Sequence, residues 1–332
     1  MISALLGILS VCSIVSARLA TEAAKRCIGT ISSLDDVSDA VSCTTVNIDS
    51  FTVPADGDVA FGNMTWAGPL FEISVYLFIQ FSVNGNGYIF DGGGPFYWDG
   101  LGSNGGLEKP RPMMKIKISG IFENTKVVNS PAQTFSVSNP GPLTITGITI
   151  DNSQGDFPNN QSNGLPAGHN TDGFDCSTTD LVIENSSIQN QDDCLAINKG
   201  SNIVFQNNTC SGGHGISVGS ISSNVTVAGI IIADNTQALR IKMDVTSTNS
   251  TVTNITYSGN VGTNLTEFGI LIDQSYPNTL ATPGTGVILS DVNFIGATNT
   301  LSVEPSATPI AINCGQGACI GKGQLEHGTG PL

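Results

Sequence analysis

The feature that most constrains this chain is a repeat length. Three apolar runs, Leu181-Val182-Ile183, Ile203-Val204-Phe205 and Val225-Thr226-Val227, begin 22 residues apart. Three polar residues in the same region, Asp172, Asp193 and His214, fall 21 residues apart. A fixed period in the twenties, carried by short β-branched runs without helices between them, is the mark of a solenoid in which each repeat adds one coil. Residues one period apart then stand above one another at the inter-strand spacing of about 4.8 Å. Asp172, Asp193 and His214 are thereby expected to form a ladder on one face, with Asp192 beside it.

Short strand-like runs recur along the rest of the chain, among them Val46–Ile48, Phe51–Val53, Ile73–Val83, Met114–Ile118, Leu143–Ile150, Val252–Tyr257 and Val287–Ile295. Regular strands alone fit an antiparallel sandwich equally well. The near-constant period selects instead an all-β parallel β-helix, with Val, Ile and Leu in interior columns and strand edges paired except at the two ends. Residues 27–43, bracketed by Cys27 and Cys43 and containing a helix over Ile31–Val41, read as a cap on one end. Asp151–Asn170 has no strand pattern and is rich in Asn, Gly and Pro. Placed just before the ladder, such a loop reads as a cleft wall. No composition shift marks a second domain, so 27–332 reads as one unit.

The apolar stretch Ile2–Ala17 ends Val-Ser-Ala and is short for a membrane span, so residues 1–17 read as a secretory signal peptide. Lys25-Arg26 before Cys27 reads as a dibasic site ending a propeptide over 18–26. Eight sequons, at Asn63, Asn160, Asn185, Asn207, Asn224, Asn249, Asn254 and Asn264, fit export. Without Cys12 of the leader, seven cysteines remain. The short separations pair Cys27 with Cys43, Cys194 with Cys210 and Cys314 with Cys319, leaving Cys176 over.

Formal net charge is −15, and removing residues 1–26, which carry Arg18, Lys25 and Arg26 against Glu22, lowers it to −17. That field excludes nucleic acid as a partner. It also repels a polyanionic substrate globally, so such a substrate requires a local cationic patch. Arg240-Ile241-Lys242 supplies one, because alternation on a strand turns both cations to one face. In isolation the same pair would be a solvated strand face, just as Asp192-Asp193 alone would be a solvated turn. Stacked with Asp172 and His214, the acids gain another meaning. Crowded carboxylates cannot all ionise freely, and a protonated acid beside an ionised one is the pair that cleaves an acetal. Glycines on both sides of His214 let backbone or ligand approach the imidazole closely. No CxxC…CxxC or HExxH metal pattern occurs.

Asn170-Thr171-Asp172, Gln191-Asp192-Asp193-Cys194, Gly213-His214-Gly215, Arg240-Ile241-Lys242 and Tyr276 together resemble the ordered motif set of polygalacturonases, glycoside hydrolase family 28. Trp66–Leu70, Tyr97–Gly100, Ile150–Asn152 and the cysteine pairs extend the likeness across nearly the whole mature chain. The resemblance implies a right-handed parallel β-helix that hydrolyses α-1,4 linkages between galacturonates, with inversion and without a cofactor or metal. It implies Asp192 as general acid, Asp172 and Asp193 as the residues that position and activate water, and His214 as support for the acid. Asn170, Arg240, Lys242 and Tyr276 are implied to bind substrate. Polygalacturonate in pectin is the implied partner, with plant inhibitor proteins a further class, and the protein is implied to act as a monomer outside the cell. The rung spacing sets neighbouring acids about 5 Å apart, nearer the retaining than the inverting distance, but rungs fix backbones and not carboxyl oxygens.

Three other readings share parts of this pattern. An exo-acting relative would close the cleft at one end with a loop such as Asp151–Asn170. A calcium-dependent pectate lyase would share the solenoid and need a calcium-binding acid cluster with a basic catalyst. A catalytically silent pectin-binding protein would keep the fold without turnover.

Overall fold

The computed structural model describes residues 25–40, 43–48, 60–61, 64–65, 71–74, 81–87 and 89–321. The leader, Phe51–Val53, Asn63 and Trp66–Leu70 lie outside the described residues, whereas Lys25 and Arg26 open the strand Lys25–Ile31.

Parallel pairing runs from that strand, which pairs with Cys43–Ile48, to Cys319–Ile320 at the other end. The expected rungs are present: Leu181 pairs with Ile203, Ile203 with Val225 and Val225 with Ile255. The last step is 30 residues, not 22, because the coil gains the turn around 245–249. Two faces form one 17-stranded sheet because Phe174–Glu184, Leu195–Gln206 and Ile216–Ala228 each run through the corner between them, with register shifts after Cys176 and Ile197. An eight-stranded parallel sheet from Ile89–Asp91 to Thr300–Val303 makes the third face. The fold is a parallel β-helix.

The core is the set of inward columns. Phe135, Phe174, Leu195, Ile216 and Leu239 follow one another rung by rung, and the Phe135 and Phe174 rings stack at 5.3 Å. Val137, Cys176, Ile197, Val218 and Ile241 form the neighbouring column. Cys176 is therefore a core residue, fully buried, and burial pushes its thiol well above the ordinary range. It behaves as a small hydrophobe. The three expected disulfides are present.

Asparagines turn the corners. Asp180, Asn202, Asn224 and Asn254 all have left-handed backbone angles (φ 52–57°), which short amide and carboxylate side chains tolerate best among residues with a Cβ. Each amide donates to the residue one coil earlier: Asn202 to Asp180 (2.9 Å), Asn224 to Asn202 (2.7 Å) and Asn254 to Asn224 (3.1 Å). Two sequon asparagines are thus rungs of a structural ladder.

The cap departs from expectation. Ile31 ends a strand, and the helix over Ile31–Val41 is replaced by a 3₁₀ turn at Leu34–Asp36 and one α turn at Val37–Ala40. Asp36 is the physical reason. Its carboxylate accepts from the Ser32 N–H and from both the Ser32 and Ser33 hydroxyls, which holds the chain in a tight turn where a helix would have had to begin. Of the run Ile73–Val83, the described residues lie in the strands Phe71–Ser74 and Phe81–Asn84.

Candidate active site

Two buried asparagines hold the backbone that carries the acids. Asn190 donates its amide to the carbonyls of Thr171, Asp192 and Asp193 at 3.0–3.1 Å, which shapes the turn entering Leu195–Gln206. One coil later, Asn235 accepts from the N–H groups of Gly213 and Gly215 at 3.1 and 3.0 Å and so brackets His214. A Cβ at Gly213 would lie 2.1 Å from the Asp192 carbonyl oxygen, and Gly215 has φ +72°. Both flanking glycines are therefore required by the coil stacked against them. The Cys194–Cys210 disulfide ties the end of the acid turn to the third face.

The backbone register aligns the residues following Asp172, Asp193 and His214, since Gly173 N–H donates to Asp193 and Cys194 N–H to Gly215. The side chains then choose partners that spacing alone did not specify. His214 Nδ1 lies 3.0 Å from Asp192 Oδ1, which also accepts from the Asp193 N–H at 2.7 Å. Asp192 Oδ2 accepts from Asn170 Nδ2 at 2.8 Å. Asp193 is held at both oxygens, by the Ser217 hydroxyl at 2.7 Å and the Lys242 ammonium at 2.5 Å. Asp172 differs from both: its Oδ1 is buried and has no hydrogen-bond partner.

These surroundings separate the proton affinities. Burial raises Asp172 well above the ordinary carboxylate value, and the charges of Asp192, Asp175 and Asp193 push it further against the opposing charge of Lys242. Burial also raises Asp192, but the hydrogen bond and charge of His214, with Lys242 and the Asp193 N–H, outweigh it and hold Asp192 down to about 2. His214 responds in the opposite sense. Burial lowers it, Asp192 and Asp193 overcome that effect, and the net shift is upward. The proton shared by His214 and Asp192 is therefore held by the imidazole. The sequence reading expected one of the crowded carboxylates to hold a proton without saying which, and took His214 only as support for the acid. Asp175, on the strand beneath the site, is pushed to about 6 by burial and Asp193 against the opposing charge of Lys242.

Arg240 and Lys242 flank buried Ile241 and both lie over the Tyr276 ring, at 5.5 and 5.3 Å from its centroid. Lys242 is paired with Asp193, whereas Arg240 Nε is buried without a hydrogen-bond partner. The guanidinium is thus the cation whose hydrogen-bonding capacity is less used. Asp192, Asp193 and His214 also offer atoms within 4.8 Å of one another, a spacing that a cation could bridge. In this arrangement Asp193 is engaged by Lys242 and Ser217, so side chains supply the positive charge.

All eight residues singled out from the sequence thus meet in one place, but Asn170 and Lys242 contact acids of the site. Sequence reasoning missed Ser217 and the pair Ser103–Asn104, and quoted Gln191 only within a motif, without a role. Gln191 donates to Asn152 and Asp156 and accepts from Thr171, fastening the loop 151–170 beside the acids. No pattern marks the two serines and Asn104, because their partners lie 24 to 67 positions away.

Comparison with known proteins agrees with this geometry. The chain is 37% identical over 305 residues to Endopolygalacturonase I of Aspergillus aculeatus, covering 84% of this chain and 77% of the relative. It is 38% identical over 307 residues to a polygalacturonase of Penicillium digitatum, covering 84% and 80%. A solved structure of endopolygalacturonase I from Stereum purpureum, complexed with two galacturonates, superposes with a TM-score of 0.74 at 38% identity, covering 89% of this chain and 91% of that one. The family model for glycosyl hydrolases family 28 matches residues 27–324, and the chain belongs to that family.

Proposed function

We propose that this protein is a secreted endo-polygalacturonase that hydrolyses the α-1,4 linkages of polygalacturonate with inversion. The observation that carries the reading is the division of labour among three neighbouring buried carboxylates beside an arginine with unused hydrogen-bonding capacity. The names and the galacturonate complex of the relatives support the substrate class.

Asp193, fixed by Ser217 and Lys242, takes a proton from water as the hydroxyl oxygen bonds to the anomeric carbon. Asp172 turns its unpartnered Oδ1 to that water and positions it. The bond from the anomeric carbon to the bridging oxygen breaks, and that oxygen receives a proton through Asp192. The His214–Asp192 pair holds this proton: it passes from the imidazole to the Asp192 carboxylate, and from that carboxyl to the bridging oxygen. Arg240 receives a sugar carboxylate, with the Tyr276 ring beneath it. Secretion rests on the apolar leader, the disulfides and the fungal relatives; among the described residues no helix is long and apolar enough to cross a membrane. Plant inhibitor proteins are proposed as a further class of partner, and the protein is proposed to act as a monomer.

Product analysis on polygalacturonate in EDTA, with viscosity followed in parallel, tests the reading. Saturated mixed oligomers with rapid viscosity loss are expected. Unsaturated products, or loss of activity in the chelator, would replace it with a lyase, and monomer release with slow viscosity loss with an exo enzyme.

A further inference from the structure

Asn170 does not stand free to grip a sugar. Its Oδ1 accepts three hydrogen bonds from one loop: Ser103 N–H and Ser103 Oγ at 3.0 Å each, and Asn104 Nδ2 at 3.3 Å. Those donors select the orientation of the carboxamide, because a flipped amide would face N–H groups with N–H groups. The Nδ2 that remains points at Asp192 Oδ2, 2.8 Å away. Since His214 takes Oδ1 of the same carboxyl, Asn170 is the group that orients the other oxygen.

The loop is built to hold that contact. A buried ion pair between Lys109 and Asp99, 2.7 Å long, closes its base, and Asp99 also accepts from the N–H groups of Leu101 and Leu107. Its tip is glycine at the point of closest approach: a Cβ at Gly102, where φ is +56°, would lie 2.5 Å from Asn170 Oδ1 and 2.7 Å from the His169 carbonyl oxygen. The neighbouring wall is stitched to it by Gly100 N–H to Ala167 (2.9 Å) and Asn159 Nδ2 to Trp98 (2.8 Å).

We propose that Ser103, with Asn104, is a positioning residue for the acid, acting on Asp192 through Asn170. The inference rests on the reading of Asp192 as proton donor. Asn170 is then a relay between the loop and the acid.

The test is a double-mutant cycle on kcat with polygalacturonate. Ser103→Ala is expected to lower kcat roughly 3- to 10-fold with KM within about twofold, an effect of the size of one hydrogen bond, and Ser103→Thr to restore it. In an Asn170→Ala background, Ser103→Ala is expected to change kcat less than about twofold, since the relay is already gone. On an aryl oligogalacturonide whose leaving group needs no proton, the Ser103→Ala defect is expected to vanish. Additive losses in the cycle, a KM rise at constant kcat, an equal defect on the aryl substrate or an unchanged kcat would each overturn the proposal. Asp192→Asn run alongside separates the two layers. If it is inactive on polygalacturonate while Ser103→Ala is normal, only the relay fails; if it retains turnover, the acid assignment beneath it fails.

Discussion

The imidazole of His214 is directed at Asp192, 3.0 Å away, and not at Asp193, its partner in the 21-residue register. Asp193 instead faces Lys242 and Ser217. Two adjacent carboxylates thereby acquire different cationic partners. One shares a proton that can be donated; the other is fixed as an acceptor. With 35% of its side chain exposed, His214 is reachable by solvent and can be reprotonated between turnovers.

If that pair stores the proton, its loss of the proton sets the alkaline limb of kcat/KM. His214 is raised above its ordinary value of 6.5, so the limb lies above that pH in the parent enzyme. In His214→Ala the proton must be stored by Asp192 alone, and the limb moves down toward the carboxylate range. A fall in kcat of about 100-fold accompanies it. A pH–rate profile checks this, and an alkaline limb that stays in place would remove His214 from proton storage.

Asp175 predicts a stability slope. Its folded value, about 6, exceeds the unfolded one, so between about pH 4 and 6 the native state binds more protons than the unfolded state. Stability is complete below that window and falls as pH rises through it, by up to about 3 kcal/mol for a shift of this size. Asp172, also raised, acts in the same sense, whereas His214 does so only above its ordinary 6.5, outside this window. Urea midpoints at pH 4 and 6.5 are expected to fall with pH, and Asp175→Asn to flatten part of the decline.

Ser217 is fully buried and holds one oxygen of Asp193. Ser217→Ala leaves that oxygen without its donor inside the protein, which costs about 1–3 kcal/mol. A lower thermal midpoint together with a kcat drop of roughly 10-fold at nearly constant KM is expected. Steady-state kinetics beside a melting curve reads both.

The two cations of Arg240-Ile241-Lys242 are expected to respond differently. Lys242→Ala strands the buried Asp193 carboxylate and is expected to destabilise the fold by about 3 kcal/mol. Arg240→Ala removes a side chain that leaves a hydrogen-bonding position unused within the protein, and is expected to raise KM for polygalacturonate at least about 10-fold with little change in melting temperature. Paired melting and binding measurements separate the two roles.

The fold was legible where coil length is constant. Leu181, Ile203 and Val225 stack as their 22-residue spacing requires, because no insertion interrupts those coils. It was less legible at the cap, where the Asp36 turn overrode a helical pattern. Asp172, Asp193 and His214 were legible because unusual side chains recur at the coil period, Arg240 and Lys242 because they alternate along a strand, and Asn170 and Tyr276 through the motif resemblance. Their pairing was not, since whether His214 meets Asp192 or Asp193 depends on side-chain direction within one rung. Ser103 and Ser217 were invisible for a related reason. A serine becomes part of the site only through the coil or loop that the fold lays against it.

The most direct test compares Asp192→Asn, Asp172→Asn and Asp193→Asn on polygalacturonate and on an aryl oligogalacturonide with a good leaving group. An acid is dispensable when the leaving group needs no proton, whereas water activation is required on both substrates. We expect Asp192→Asn to lose at least about 1,000-fold in kcat on the polymer and to recover most of its rate on the aryl substrate, while Asp172→Asn and Asp193→Asn stay slow on both. Recovery by Asp172→Asn, the variant of the carboxyl whose proton affinity burial raises, with Asp192→Asn slow on both substrates, would contradict the account and move the donor to Asp172.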